Sequence, residues 1–212
     1  MFTEMGQKRT YQLKRRAERR DETRRRITEA TVALHQEVGP AATTIKEIAE
    51  RAGVERLTVY RHFPDERELF RACQAHFLGE HPMPDMAAWA AVSDPRERLR
   101  TALAALYARH RATEAMTANI LRDAPGIPAL AELTAGIPRY YAAARDVLAD
   151  GWDVPEVRRP LLVAAIGHAL DFETWRSLAR RQGLPDEDAV ALMVALVSCV
   201  ALGAVPPTSS PS

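Results

Sequence analysis

Residues 43–63 read TTIKEIAERAGVERLTVYRHF, and this stretch decides the fold. Thr44 followed three residues on by Glu47 is a capping box, in which hydroxyl and carboxylate each satisfy a backbone N–H at a helix start. Ile45, Ile48, Ala49 and Ala52 then follow at the i, i+3, i+4, i+7 spacing of one helical face, and Gly53 supplies the left-handed residue that ends the helix. After a turn through Val54 and Glu55, a second short segment from Arg56 to His62 can send Val59, Tyr60 and Phe63 toward the same core. Two short helices joined by a tight Gly-containing turn make a helix-turn-helix, whose second helix fits the major groove of duplex DNA.

The run Gly39, Thr43, Thr44, Ile48, Ala49, Ala52, Gly53, Val54, Thr58, Tyr60, His62, Phe63, Pro64 and Leu69 resembles the DNA-binding domain of TetR-family transcriptional regulators. The resemblance covers residues 22–80 and implies an N-terminal three-helix reading domain followed by a helical regulatory domain. It also implies that the helix after Pro64 connects the two domains and transmits ligand binding to the DNA end. The remainder is similar to the family in being all-helical and of suitable length.

Composition agrees with an all-α protein. Alanine and leucine are abundant, aromatic residues make up 6%, and no alternation of period two runs far enough to nominate a strand. Net charge is only +1, but residues 1–64 carry 14 Lys/Arg against 9 Asp/Glu, while the rest carries 15 against 19. A basic end joined to an acidic one suits a protein that presents one end to a polyanion. No apolar run follows the first basic residues, so no signal peptide is expected and the protein should act in the cytoplasm. Residues 189–205 are uncharged but fall short of a membrane span and lack basic anchors.

Residues 1–20 are expected to be a basic arm, disordered or frayed without a partner, that either contacts DNA or is a solvated tail or partly a helix extension. The DNA-binding domain spans 21–80, beginning with a helix from Asp21 to Val38 whose Ile27, Ala30, Leu34 and Val38 share a stripe. The proline-bearing segment HPMPDMAAWAA, residues 81–91, marks the boundary to a ligand-binding and dimerisation domain, 81–205; residues 206–212 form a disordered tail. Cys73 and Cys199 lie among apolar neighbours and are expected to be buried thiols. The last two helices, about 155–181 and 186–202, are apolar around most of their circumference. They therefore predict a homodimer whose interface is a four-helix bundle, the arrangement the resemblance also implies.

Site residues follow from chemistry and from matching the family's motif. Thr43 and Thr44, at a helix N-terminus, are expected to meet a phosphate. Arg56 and Arg61 can grip guanine O6 and N7 or contact phosphate; Leu57 suits a thymine methyl; Thr58 could meet a methyl or the backbone. Tyr60 and His62 match the family's phosphate-contacting positions. The family's frequent lysine two residues after Pro64 is Glu66 here, which loses that contact or shifts it to Arg67.

For a small-molecule effector, His168, Asp171, Phe172 and Trp175 fall on one stripe, about 100° wide, of the helix expected over 155–181. Tyr107, Met116, Ile120, Tyr140 and Tyr141 are candidate opposite walls, at positions equally suited to an ordinary core. No zinc spacing, phosphate-cradling glycine loop or nucleophile elbow is present, so no enzyme, cofactor or metal is expected. The sequence thus predicts a ligand-responsive regulator, a repressor, binding a palindromic double-stranded operator as a homodimer. The alternatives are a ligandless DNA-binding or protein-interaction module, and a helical enzyme using His168 and Asp171 as an acid–base pair.

Overall fold

The computed structural model describes residues 3–203, with side chains from residue 11 onward. The expected tail, 206–212, lies outside the described residues. The described residues are helical without strands, and they divide into two compact units, residues 3–82 with 115–134, and residues 83–114 with 135–203. Residues 115–134, read above as part of one segment 81–205, are therefore in the first unit.

In the first unit, α1 spans Thr3–Glu37, α2 Ile45–Ala52, α3 Arg56–His62 and α4 Glu66–Glu80. The helix expected to begin at Asp21 instead begins at Thr3, so the supposed unstructured arm is the first half of α1. Its Lys, Arg, Glu and Gln are good helix formers, it contains no proline, and Lys14 lies 4.0 Å from Glu18 one turn on. The packed half of α1 serves as nucleus for that extension.

Ile27, Leu34, Ile48, Ala49, Val59, Phe63 and Leu69 meet in one core, with Met116. Short α7 (Glu114–Asp123) and α8 (Pro128–Thr134) complete the unit. Asn119 Nδ2 donates to the carbonyls of His35 and Gln36 at 2.9 and 3.0 Å, so α7 caps the end of α1. Asp123 accepts from the Ala41 amide at 3.0 Å, and Arg122 donates to the Val38 carbonyl at 2.9 Å. A buried turn thus has its backbone groups satisfied by side chains 82 to 84 residues away.

The second unit is arranged around α6, Pro95–Ala112, started by Asp94, which accepts from the Glu97 amide at 2.8 Å. Leu99, Leu103, Leu106, Tyr107 and His110 are buried along it. Around it pack α5 (Met86–Ala90), α9 (Ile137–Ala149), α10 (Arg159–Leu170), α11 (Phe172–Arg176) and α12 (Asp186–Ala201). The region read as a plain linker, 81–91, holds α5, because Asp85 caps it and Trp89 is buried at 2% exposure. Arg98 is buried and donates to the carbonyls of Val92 and Ser93, in the turn after α5, and of Val147 and Asp150, which are orphan acceptors at the end of α9.

The single helix expected from 155 to 181 is broken. At Asp171 ψ turns to 137°, and its carboxylate accepts from the Glu173 amide at 2.6 Å, starting α11; a π-helical turn then covers Ser177–Arg181. Asp competes with the helix by bonding the backbone locally. Cys73 is a buried thiol, pushed up to about 12 by burial. Cys199 is exposed, contrary to expectation, because it falls on the outward side of α12 beside Ala195 and Leu196.

His35 in the first unit and His110 in the second are buried, and desolvation pushes each down to about 4. The unfolded imidazole takes up a proton below about 6.5, the native one only near 4. Stability is therefore full above pH 6.5 and falls as the pH drops toward 4, by about 3 kcal/mol per histidine at most. Urea unfolding between pH 7 and 4 is expected to show this loss, and His35→Gln is expected to flatten it for the first unit. An unchanged pH slope in that variant would contradict the assignment.

Candidate nucleic-acid interface

The two short helices are built as their residues dictate. Thr44 Oγ1 accepts from the Glu47 amide at 3.2 Å, while the Glu47 carboxylate accepts from the Thr44 amide at 2.9 Å and from its hydroxyl at 2.7 Å. That hydroxyl holds the Glu47 carboxyl below the usual range. Thr43 donates its hydroxyl to the Gly39 carbonyl at 2.8 Å. Both threonines are thus locally engaged in the free protein, and a phosphate at this helix start would replace the bond from Thr43.

At the other end of α2, Gly53 lies at φ 63°, ψ 43°, in the left-handed region. The Val54 amide then donates to the Ala49 carbonyl at 2.9 Å. Arg26 of α1 closes this end, donating to the Ala52 and Gly53 carbonyls at 2.7 and 3.2 Å. Arg51 makes a two-toothed ion pair with Glu37 of α1.

The second short helix, α3, is held from behind. Val59 is fully buried and Phe63 nearly so, while Arg24 of α1 donates to the His62 carbonyl and lies 4.1 Å over the Phe63 ring. The outward face then carries Arg56, Leu57, Tyr60 and Arg61, all exposed; Leu57 is 66% and Tyr60 49% exposed. An exposed leucine among arginines on a helix this well anchored is not serving the chain's own core. Thr58 and His62 are half-buried at its edge. Partial burial first, and then Arg24, Arg61 and Arg20, hold the His62 imidazole below its ordinary range, so three cations gather at this end of α3.

The acidic departures are also visible. Glu55 and Glu66 are exposed, and Arg67, named as a possible replacement phosphate contact, instead pairs with Glu132 of α8, its Nη1 2.6 Å from the carboxylate. Reading the sequence missed Arg24 and Arg26. Their signal was present, since they precede Ile27, the first deeply buried residue of α1, and an arginine there can reach the carbonyl end of a neighbouring helix.

The effector candidates separate. Met116 is buried in the core of the first unit, with Ile120 packed against it, away from the rest of the set. Tyr107, Phe172 and Trp175 are buried in the second unit around His110, whose ring lies 5.4 Å from Phe172 and 5.8 Å from Trp175. Tyr107 donates to the Ala169 carbonyl at 2.9 Å and Trp175 to Asp186 at 2.9 Å. Tyr140 donates to the Pro84 carbonyl at 2.8 Å and stands edge-on to half-buried Tyr141. His168 and Asp171 are exposed and engage different partners, Thr174 at 3.2 Å and the Glu173 amide, because the break at Asp171 removes their common stripe. His110 Nδ1 is buried without a hydrogen-bond partner among the described residues. Among those residues no three His, Cys, Asp or Glu side chains gather as a metal set.

Comparison with known proteins follows the same division. Residues 27–73 match the family model described as bacterial regulatory proteins, tetR family. The HTH-type transcriptional regulator BetI of Yersinia pestis is 39% identical over 80 residues, 36% of this chain and 40% of that protein. The HTH-type transcriptional activator FasR of Mycolicibacterium smegmatis is 33% identical over 104 residues, 48% of each. The chain thus spans less than half the length of these curated relatives. The solved structure of a TetR-like transcriptional regulator from Rhodococcus sp. RHA1 superposes with a TM-score of 0.62 at 19% identity, covering 85% of this chain and 96% of that one. That likeness extends the shared all-helical fold beyond the N-terminal domain.

A Cβ at Gly53 would meet only the tip of Arg26 at 3.9 Å, so substitution there is opposed by backbone strain, not by crowding. Gly53→Val is expected to lower stability by about 1–2 kcal/mol, and Gly53→Asn by clearly less, in thermal unfolding. Equal losses for the two variants would contradict the left-handed turn.

Proposed function

We propose, for a chain that belongs to the TetR family of transcriptional regulators, that it represses transcription by binding a palindromic operator as a homodimer and releases it on binding a small-molecule effector. The observation that carries the DNA half of this reading is α3, which offers Arg56, Leu57, Tyr60 and Arg61 outward while Val59 and Phe63 anchor it. Arginines at such a helix can address guanine edges bidentately, and the leucine can meet a thymine methyl. Thr43, Thr44, Thr58, Tyr60 and His62 supply phosphate and backbone contacts at its margins.

Dimerisation is supported by the outward sides of α10 and α12. Leu161 and Ala164 on one, and Ala191, Leu192, Ala195 and Leu196 on the other, are exposed. Ala169 and Ser198 of the same two helices are buried in the chain's own core. Paired with a second copy, the two faces make a four-helix bundle and fix the distance between two recognition helices. About 34 Å, one turn of duplex, lets both enter major grooves on the same side.

The effector acts through the second unit, where Tyr107, Phe172 and Trp175 surround the unpartnered His110 Nδ1 and Tyr140, Tyr141, His168 and Asp171 lie in the same unit. An unmatched polar atom among aromatic walls is what orients a largely apolar ligand. Such a ligand loosens DNA only by its difference in affinity for the two states, and DNA must weaken the ligand by the same factor. No helix among the described residues is long and apolar enough to cross a membrane, which fits a cytoplasmic regulator.

Selection of bound fragments from random duplex DNA is expected to recover a palindrome. Arg61→Ala is expected to cost about 1–3 kcal/mol and relax preference at one base pair of each half-site. Uniform weakening on all sequences would reassign Arg61 to phosphate, and unchanged binding would contradict the interface. A reporter gene carrying that palindrome decides the sign of regulation, since FasR is named an activator; expression is expected to rise when this protein is removed.

A further inference from the structure

The arc of α1 that packs on the reading domain does not end where the domain ends. Ile27, Thr31 and Leu34 are buried against it. At 100° per residue, Arg24, Arg20 and Arg16 lie within the same arc of about 80°, one turn apart and stepping roughly 6 Å at a time toward the N-terminus. Arg24 is fastened to the end of α3 through the His62 carbonyl and the Phe63 ring. Arg20 and Arg16 therefore continue, along one helix, a line that starts at the end of α3, and both are exposed.

The opposite side of the same helix is different in kind. Lys14 lies 4.0 Å from Glu18, Arg15 stacks on Tyr11 at 5.8 Å, and Arg25 bonds both Glu22 and Glu29. On the inner arc the described acidic contact is Asp21, 3.8 Å from Arg20, with both side chains more than 70% exposed, so solvent screens it. The Arg20 charge also reaches the imidazole of His62. One face of the helix thus has its cations engaged largely by its own side chains, while the other carries Arg16 and Arg20 in line with Arg24, which touches the end of α3.

We infer that the N-terminal half of α1 is a second DNA-binding element, a helical strut whose Arg16 and Arg20 lie along the phosphate backbone flanking the groove that α3 enters. The inference rests on the DNA-binding reading given above and adds to it a surface and its partner chemistry. Charge complementarity and continuity with α3 commit that face to a polyanion. A preformed helix also holds its cations without the ordering cost that an unstructured arm would incur on binding. Its contacts carry no base information, so they raise affinity for every sequence alike.

The test measures binding of the full-length protein to two fluorescent duplexes, one of mixed sequence and one recovered by selection, across a series of salt concentrations. Each phosphate contact contributes about 0.9 to the slope of log K against log salt. The double substitution Arg16→Gln, Arg20→Gln removes four arginines from a bound dimer, and is expected to lower that slope by between about 2 and 4 on both duplexes and to leave their affinity ratio unchanged. Lys14→Gln, Arg15→Gln, on the opposite face, is expected to change the slope by less than half as much, with circular dichroism reporting equal helicity for both variants. A wild-type slope in the first variant, or equal losses in the two, overturns the strut. Failure of the wild type to bind either duplex overturns the DNA-binding reading itself, and the strut with it.

Discussion

Everything around α3 depends on α1 holding the carbonyl ends of two helices too short to stand alone. At eight and seven residues, α2 and α3 fall below the length at which an isolated helix is even marginal. Arg26 closes the end of α2 and Arg24 the end of α3, while Ile27 and Leu34 supply the apolar surface on which Ile48, Ala49 and Val59 are buried. Two cations aimed at helix C-termini also oppose the negative ends of both macrodipoles. The outward side chains of α3 are consequently fixed by contacts on the far side of the helix, and specificity can be altered there without dismantling the domain.

The same clamp explains why the first unit recruits α7. Helix α1 ends at Glu37, and the turn that follows, with Gly39 at φ 94°, leaves carbonyls and amides facing inward. Asn119, Arg122 and Asp123 take those groups up. Since α7 follows α6 with Thr113 between them, the chain passes from the second unit into the first at a point that bears directly on the end of α1.

Much of this was legible from short-range chemistry. The Thr44–Glu47 box and the Gly53 turn are local rules, and α2 begins and ends where they put it. What the residues concealed was long-range. The N-terminal arginines read as a loose arm, because nothing nearby in sequence reveals that the inner half of α1 nucleates a helix through them. His168, Asp171, Phe172 and Trp175 lay on one stripe only while Asp171 was counted as helix interior; as a cap it divides them. Met116 and Ile120 had the spacing of a pocket wall and equally that of a core, and only the packing of α7 assigns them to the first unit. Cys199 faces outward because α12, apolar all round, buries just part of its circumference within the chain.

The central claim is that α3 enters the major groove and reads guanine edges through its arginines. Methylation of guanine N7, which lies in that groove, tests this most directly: bound DNA is treated with dimethyl sulfate and the protected positions are mapped. The account predicts two clusters of protected guanines separated by about 10 base pairs, with protection lost at matching positions in each cluster when Arg56 or Arg61 is removed. Protein bound tightly with every guanine N7 still open to the reagent would contradict it.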